Sequence, residues 1–130
     1  MEYRPVQNTY FEAVRRFLVE NGWERLTADA ERFRVMMENA DRTVLAVEGE
    51  QIIGFARAIC DRASNGYIGT VAVVEEKRGQ GIGRELVRRL MGDDPDITWV
   101  LRSGRGSREF WKKMGFEISS VAMERKRREI

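Results

Sequence analysis

The sequence contains no histidine and a single cysteine, Cys60. The missing histidines exclude the common zinc sites and any serine–histidine triad. One cysteine excludes an internal disulfide framework. No run of about eighteen apolar residues occurs, so no transmembrane helix and no membrane partner are expected. The opening Met1-Glu2-Tyr3-Arg4-Pro5 lacks the apolar stretch of a signal peptide, which makes a cytoplasmic location the expectation. Charge of one sign is also scarce. Against 23 Lys+Arg stand 21 Asp+Glu, a net of +2. So small a surplus argues against nucleic acid as a partner. The one basic run, residues 125–128, reads as a solvated tail. Any catalysis must therefore draw on carboxylates, hydroxyls, the one thiol, backbone amides or arginines, and no metal site is expected.

What is present suffices for one folded unit. The chain has 130 residues, 42% hydrophobic and 34% charged, which suits a soluble globular domain. No repeat, low-complexity stretch or linker interrupts it, so a single domain over 1–130 is expected. Residues 2–6 read as a first strand. Asn8 or Thr9 is expected to cap a helix carrying Phe11, Val14 and Leu18, ended by Asn21-Gly22. Thr27 is expected to cap a second helix with Ala30, Phe33 and Met37 on its buried side. The pattern then alternates: strands over 43–48 and 52–60 flank a turn, and a polar loop over 61–66 leads to a long β-branched run over 67–74. A glycine cluster opens a helix with Ile82, Leu86, Val87 and Leu90 on one face. A strand over 97–101, a short helix over 107–114 closed by Gly115, and one or two strands over 116–124 complete the order. This is an α/β chain with a mixed sheet and helices on its faces.

The unit of long strand, glycine loop and helix carries the chemistry. Amides at a helix start lack intrahelical partners and lie at the positive end of the helix dipole. Glycines let a phosphate approach that backbone. The cluster Arg78-Gly79-Gln80-Gly81-Ile82-Gly83-Arg84 is not a Walker loop, because no lysine followed by Ser or Thr closes it. Nor does it have the G-x-G-x-x-G spacing of a dinucleotide site. A phosphorylated ligand other than a Walker-bound triphosphate or NAD is expected.

Val71-Ala72-Val73 followed by this cluster resembles the (Q/R)-x-x-G-x-(G/A) signature of the GNAT family of N-acetyltransferases. Phe110-Trp111-Lys112-Lys113-Met114-Gly115-Phe116 is similar to the family's F-Y-x-K-x-G-F segment, and Ile53-Gly54-Phe55-Ala56-Arg57 to its third strand. The resemblance covers essentially the whole chain. It implies a mostly antiparallel central sheet with helices on both faces and an opening where the fourth and fifth strands splay apart. It implies acetyl-CoA as cosubstrate, with its pyrophosphate on the amides of Arg78, Gly79, Gln80, Gly81, Ile82, Gly83 and Arg84. Val71, Ala72 and Val73 would hold the pantetheine arm, the Val73 N–H would polarise the acetyl carbonyl, and Trp111 would pack on pantetheine or orient the sulfur.

The chain departs from the family pattern at two places. Trp111 stands where the family often has a tyrosine acid, and an indole N–H does not protonate a thiolate near neutral pH. Gly104 stands near the position of a family asparagine. For the amine proton the candidates are Asp61, at the end of the third strand, and Tyr67, at the start of the fourth; a loop cap or an ion pair with Arg57 or Arg62 is the plain alternative for Asp61. Trp23, Phe33, Met36 and Met37 are expected near the substrate end. The acceptor is a small-molecule or protein amine, and the resemblance also allows a homodimer. The rival readings are a non-catalytic acyl-CoA-binding sensor, a nucleotide-binding or phosphotransfer domain, and a nucleic-acid binder using residues 125–128.

Overall fold

Between residues 42 and 73, β-branched and apolar residues leave extended pairing as the favoured state. In the computed structural model, which describes residues 1–128, this stretch forms three consecutive antiparallel strands: β2 (Arg42–Glu48), β3 (Gln51–Cys60) and β4 (Asn65–Val73). β1 (Glu2–Arg4) joins the outer edge of β2 antiparallel, and β5 (Thr98–Leu101) joins β4 in parallel, giving the order β1-β2-β3-β4-β5. A parallel neighbour needs a crossover. Here α4 (Ile82–Met91) supplies it, burying Ile82, Leu86, Val87 and Leu90 as the sequence period requires. Each such side chain gains about 1.5–3 kcal/mol by full burial.

Helices cover both faces. α1 (Phe11–Glu20), α2 (Glu24–Thr27) and α3 (Ala30–Glu38) lie on one, where Val14, Phe17, Leu18, Phe33 and Met37 pack with Leu45, Phe55 and Ala72. On the other face α4 and α5 (Arg108–Lys113) pack with Ala46, Ala56, Ala58 and Ile68. Gly22 and Gly115, with φ of 87° and 97°, close α1 and α5 in the left-handed conformation that glycine tolerates.

Three local expectations need correction. Thr27 does not cap α3: its hydroxyl donates to the Trp23 carbonyl (2.7 Å), while the Asp29 carboxylate accepts from the Arg32 N–H and takes the cap role. Neither Asn8 nor Thr9 caps α1; the chain enters it through a 3₁₀ turn, Asn8–Tyr10, with no side-chain cap. Residues 116–124 form no strand, although their polarity alternates. Ile118, Val121 and Met123 stand exposed there, because an alternating segment becomes a strand only where an edge accepts its hydrogen bonds.

Two features shape the site. β3 pairs Arg57 with Thr70 but Ala58 with Ile68, so Gly69 is the extra residue of a β-bulge in β4. β5 pairs with β4 from Asn65 to Ile68 and no further. From Gly69 to Val73 the outer edge of β4 therefore has no strand partner among the described residues.

Candidate functional site

The glycine loop turns β4 into α4. Gly79 and Gly81 adopt φ of 81° and 87°, and Gly81 stands at the N-cap of α4 without any side-chain cap. A Cβ added at either would meet nothing within 4 Å, so the backbone is bare to its surroundings. The first amide of α4 with a backbone acceptor is that of Glu85, bonded to the Gly81 carbonyl (3.0 Å). The amides of residues 79–84 make no hydrogen bond among the described residues. Gly83 has another role: its missing Cβ lets the Phe110 ring approach, since an added carbon would lie 3.2 Å from Cε1. The exposed Arg78 and Arg84 flank the turn, and the Arg78 Nε donates to the Val73 carbonyl (3.2 Å).

The open edge of β4 leads into this turn. The Val74 N–H donates inward to the Ile53 carbonyl of β3 (2.9 Å). Peptide groups alternate sides along a strand, so those of Val73 and Val71 point outward, to the edge that β5 leaves free. Ala72 points its side chain into the α1–α3 core and its amide toward β3. Free strand donors and free helix-start donors thus lie at the two ends of one chain segment, with the bonded amides of Val74, Lys77 and Arg78 between them. Such a backbone can hold an extended amide-bearing chain at one end and an anion at the other. The residues present therefore fit a CoA thioester.

The sequence profile of the "Acetyltransferase (GNAT) domain" family matches residues 39–118, a span that takes in β2 through α5. The chain belongs to the GNAT acetyltransferase family. Solved structures agree on the fold. A predicted acetyltransferase of Clostridium acetobutylicum, solved with acetyl-CoA, is 24% identical over 96% of this chain and 95% of its own, with a TM-score of 0.74. A protein of unknown function from Staphylococcus aureus is 17% identical over 99% and 100%, with a TM-score of 0.77. A Xanthomonas campestris protein described as belonging to the GNAT family is 20% identical over 97% and 94%, with a TM-score of 0.76.

Within this GNAT domain the remaining expected residues lie in different places. Asp61 sits beyond the paired end of β4, four residues before Asn65, where it closes its own loop. Its carboxylate accepts from the N–H groups of Ala63 (2.9 Å), Ser64 (2.7 Å) and Asn65 (3.0 Å) and from the Ser64 hydroxyl (2.5 Å). These bonds, the Ser64 hydroxyl first, hold it well below the usual carboxylate range. The open edge starts at Gly69, about 13 Å along β4 from Asn65 at ~3.3 Å per residue. Asp61 is thus a loop cap, paired with neither Arg57 nor Arg62 among the described residues, and the structure does not bring it to Val73. Tyr67 lies nearer, half-buried, between Ile59 of β3 and Val100 of β5. Trp111 is buried, its indole set edge-on between Phe110 and Phe116 at centroid distances of 4.9 and 5.3 Å. Phe33 and Met37 belong to the α1–α3 core, and Phe33 also lines an open cavity with Phe11 and Ala30. Among the described residues no group of three or more Cys, Asp or Glu side chains gathers to hold a metal, and no helix is long and apolar enough to cross a membrane.

Three elements of the site escape a reading of the sequence alone. One is the bulge at Gly69. Another is Arg57, a buried arginine that exposes 9% of its residue surface. Its isolation in the apolar run of β3 is the signal that marks it. The third is Arg105, on the loop after β5. It reaches back to the end of α1, donating to the Gly22 carbonyl (3.1 Å) and stacking over Trp23 with its Cζ 4.3 Å from the ring centroid. That clamp ties the loop to the end of α1.

Proposed function

We propose that this chain is an acetyl-CoA-dependent N-acetyltransferase, moving acetyl from the CoA thioester to an amine by direct attack in a ternary complex. One observation carries the reading: the outward peptide groups of Val71 and Val73 and the unbonded amides of residues 79–84 lie on one chain segment, joined by the turn at 74–78. A phosphorylated thioester with an extended arm is complementary to both. Acetyl-CoA supplies an acetyl group activated as a thioester.

In this reading the amides of residues 79–84 hold the pyrophosphate, with Arg78 and Arg84 adding charge. Residues 71–73 pair with the pantetheine arm, and the Val73 N–H polarises the carbonyl as an oxyanion donor. Held in line, the amine forms its C–N bond as the C–S bond breaks, and the sulfur leaves with the electron pair. The amine proton passes to solvent by way of the Tyr67 hydroxyl. Asp61 is the weaker candidate for that task, because a carboxylate with four donors already on it accepts a proton poorly. Trp111 serves as a rigid wall behind the arm. The whole chain acts as one domain, in the cytoplasm where acetyl-CoA is available, and a homodimer is compatible with the exposed basic end.

The test is calorimetric titration with CoA and acetyl-CoA, with ATP and NAD as controls. Micromolar binding of the CoA species alone is the expected result. A folded sample that binds neither would reduce the glycine loop to a turn and end the proposal. Trp111 in the tyrosine position favours one second reading, a non-catalytic acyl-CoA-binding module. Turnover of acetyl-CoA with an amine panel separates the two.

A further inference from the structure

We propose that Arg57 makes the acceptor side of this site selective for amines that carry a carboxylate. The inference rests on the acetyltransferase reading and names its substrate class.

Arg57 lies on β3 opposite Thr70, on the α1–α3 face of the sheet, and its Nε donates to the Thr70 hydroxyl (3.1 Å). The guanidinium then lies flat against Gly69. A Cβ placed on Gly69 would stand 2.6 Å from the Arg57 Cζ and 2.7 Å from each Nη. Gly69 is the bulged residue and the first on β4 left without a partner on β5. The charge is therefore built into the point where the sheet opens. It serves no structural pair, because among the described residues no carboxylate lies within ion-pair distance of it. Its Nη atoms make no hydrogen bond there, yet no buried side-chain nitrogen or oxygen among the described residues is left without a partner. The Nη atoms therefore keep some accessible surface.

A buried cation with no counter-charge is costly, and proteins retain one where something else supplies the anion. The pyrophosphate end of the slot starts at α4, on the opposite face of the sheet. A nucleophile approaching from the α1–α3 side meets Arg57 on its way to Val73. The planar fork takes a carboxylate in bidentate fashion. Thr70 and Gly69 hold that fork in place. Tyr67 shares its face, because Ile68 points into the α4 core and strand residues alternate.

The experiment compares amino acids with their own carboxamides as acceptors, in wild type, Arg57→Gln and Gly69→Ala. The second variant keeps the charge but drives the guanidinium from its seat, and the clash falls on the end of a flexible side chain. In wild type the acids are expected to exceed the amides in kcat/KM by about 10- to 100-fold. Both variants should erase that ratio and leave acetyl-CoA affinity unchanged by calorimetry. Thermal shift gives a readout free of turnover: amino acids should raise the Tm of wild type and not of Arg57→Gln, and Arg57→Gln alone should be no less stable than wild type. Acids and amides used equally by wild type, or a ratio that survives Arg57→Gln, would overturn the inference while the acetyltransferase stands. So would a panel in which no amino acid shifts the Tm of an acetyl-CoA-binding protein. Absence of acetyl-CoA binding in wild type marks failure of the underlying reading instead.

Discussion

At the scale of single residues, the site is decided by where side chains are absent. Gly81 turns the chain with φ of 87°, and a side chain there would project into the space above the free amides. Gly81→Val should weaken CoA binding by at least about tenfold, because the cradle is blocked as well as strained. Its stability cost should be about 1–2 kcal/mol, the cost of a left-handed L-residue. Calorimetry beside a denaturant titration checks both; unchanged affinity would remove Gly81 from the cradle. Asp61 gives the opposite expectation. Asp61→Asn should lower Tm by loosening the loop over 61–65 and leave kcat/KM with acetyl-CoA unaltered. A large fall in turnover at unchanged Tm would restore it as a proton acceptor.

At the scale of elements, the placement of α4 matters most. Its N-terminus faces the loop, and its C-terminus is held by Arg42 of β2, whose Nη1 donates to the carbonyls of Leu90 (3.1 Å) and Met91 (2.7 Å). A cation at that end satisfies orphan carbonyls and complements the helix dipole. Arg42→Met should cost about 1–3 kcal/mol, as hydrogen bonds from a charged donor do. It should change CoA affinity little, since the N-terminal half remains pinned by Ile82 and Leu86. The loop after β5 is an element of another kind, tied to α1 by the Arg105 clamp. Arg105→Ala removes the bonds to Gly22 and the contact with Trp23. Hydrogen exchange over residues 102–107 should quicken, and acceptor KM should rise with acetyl-CoA affinity intact. Equal loss of both affinities would place the loop on the cofactor side.

At the scale of the whole molecule, the absence of histidine leaves the stability profile flat between about pH 5 and 8. Acid is different. Glu85 is held down to about 2 from an ordinary 4.5, mainly by hydrogen bonds from Arg88 and then Arg89. Asp61 is lowered as well, from an ordinary 3.8. A carboxylate depressed in the folded state binds fewer protons than in the unfolded chain. Its contribution is thus complete above the unfolded value and is lost as pH falls toward the folded one. Tm should hold down to about pH 4.5 and decline steadily from there toward pH 2. The double variant Asp61→Asn, Glu85→Gln should show a lower plateau and a shallower acid limb. A wild-type curve that declines already near neutrality would contradict this assignment.

Elements whose signal is local are legible in the amino-acid order alone. The period of α4, the run of β4, the glycine turn between them and the Gly115 cap can each be read from a few neighbouring residues, because side-chain spacing and glycine conformation act within one turn or strand. The cluster over 78–84 was legible for the same reason. Other features depend on partners distant in the chain. Residues 116–124 have a strand's alternation but no edge bonded to them. Asp61 meets four donors inside its own loop. The bulge at Gly69 exists only against β3, and the seat of Arg57 exists only against the bulge. Pairing register and the seat of a buried charge are relations between segments, and no single segment carries them.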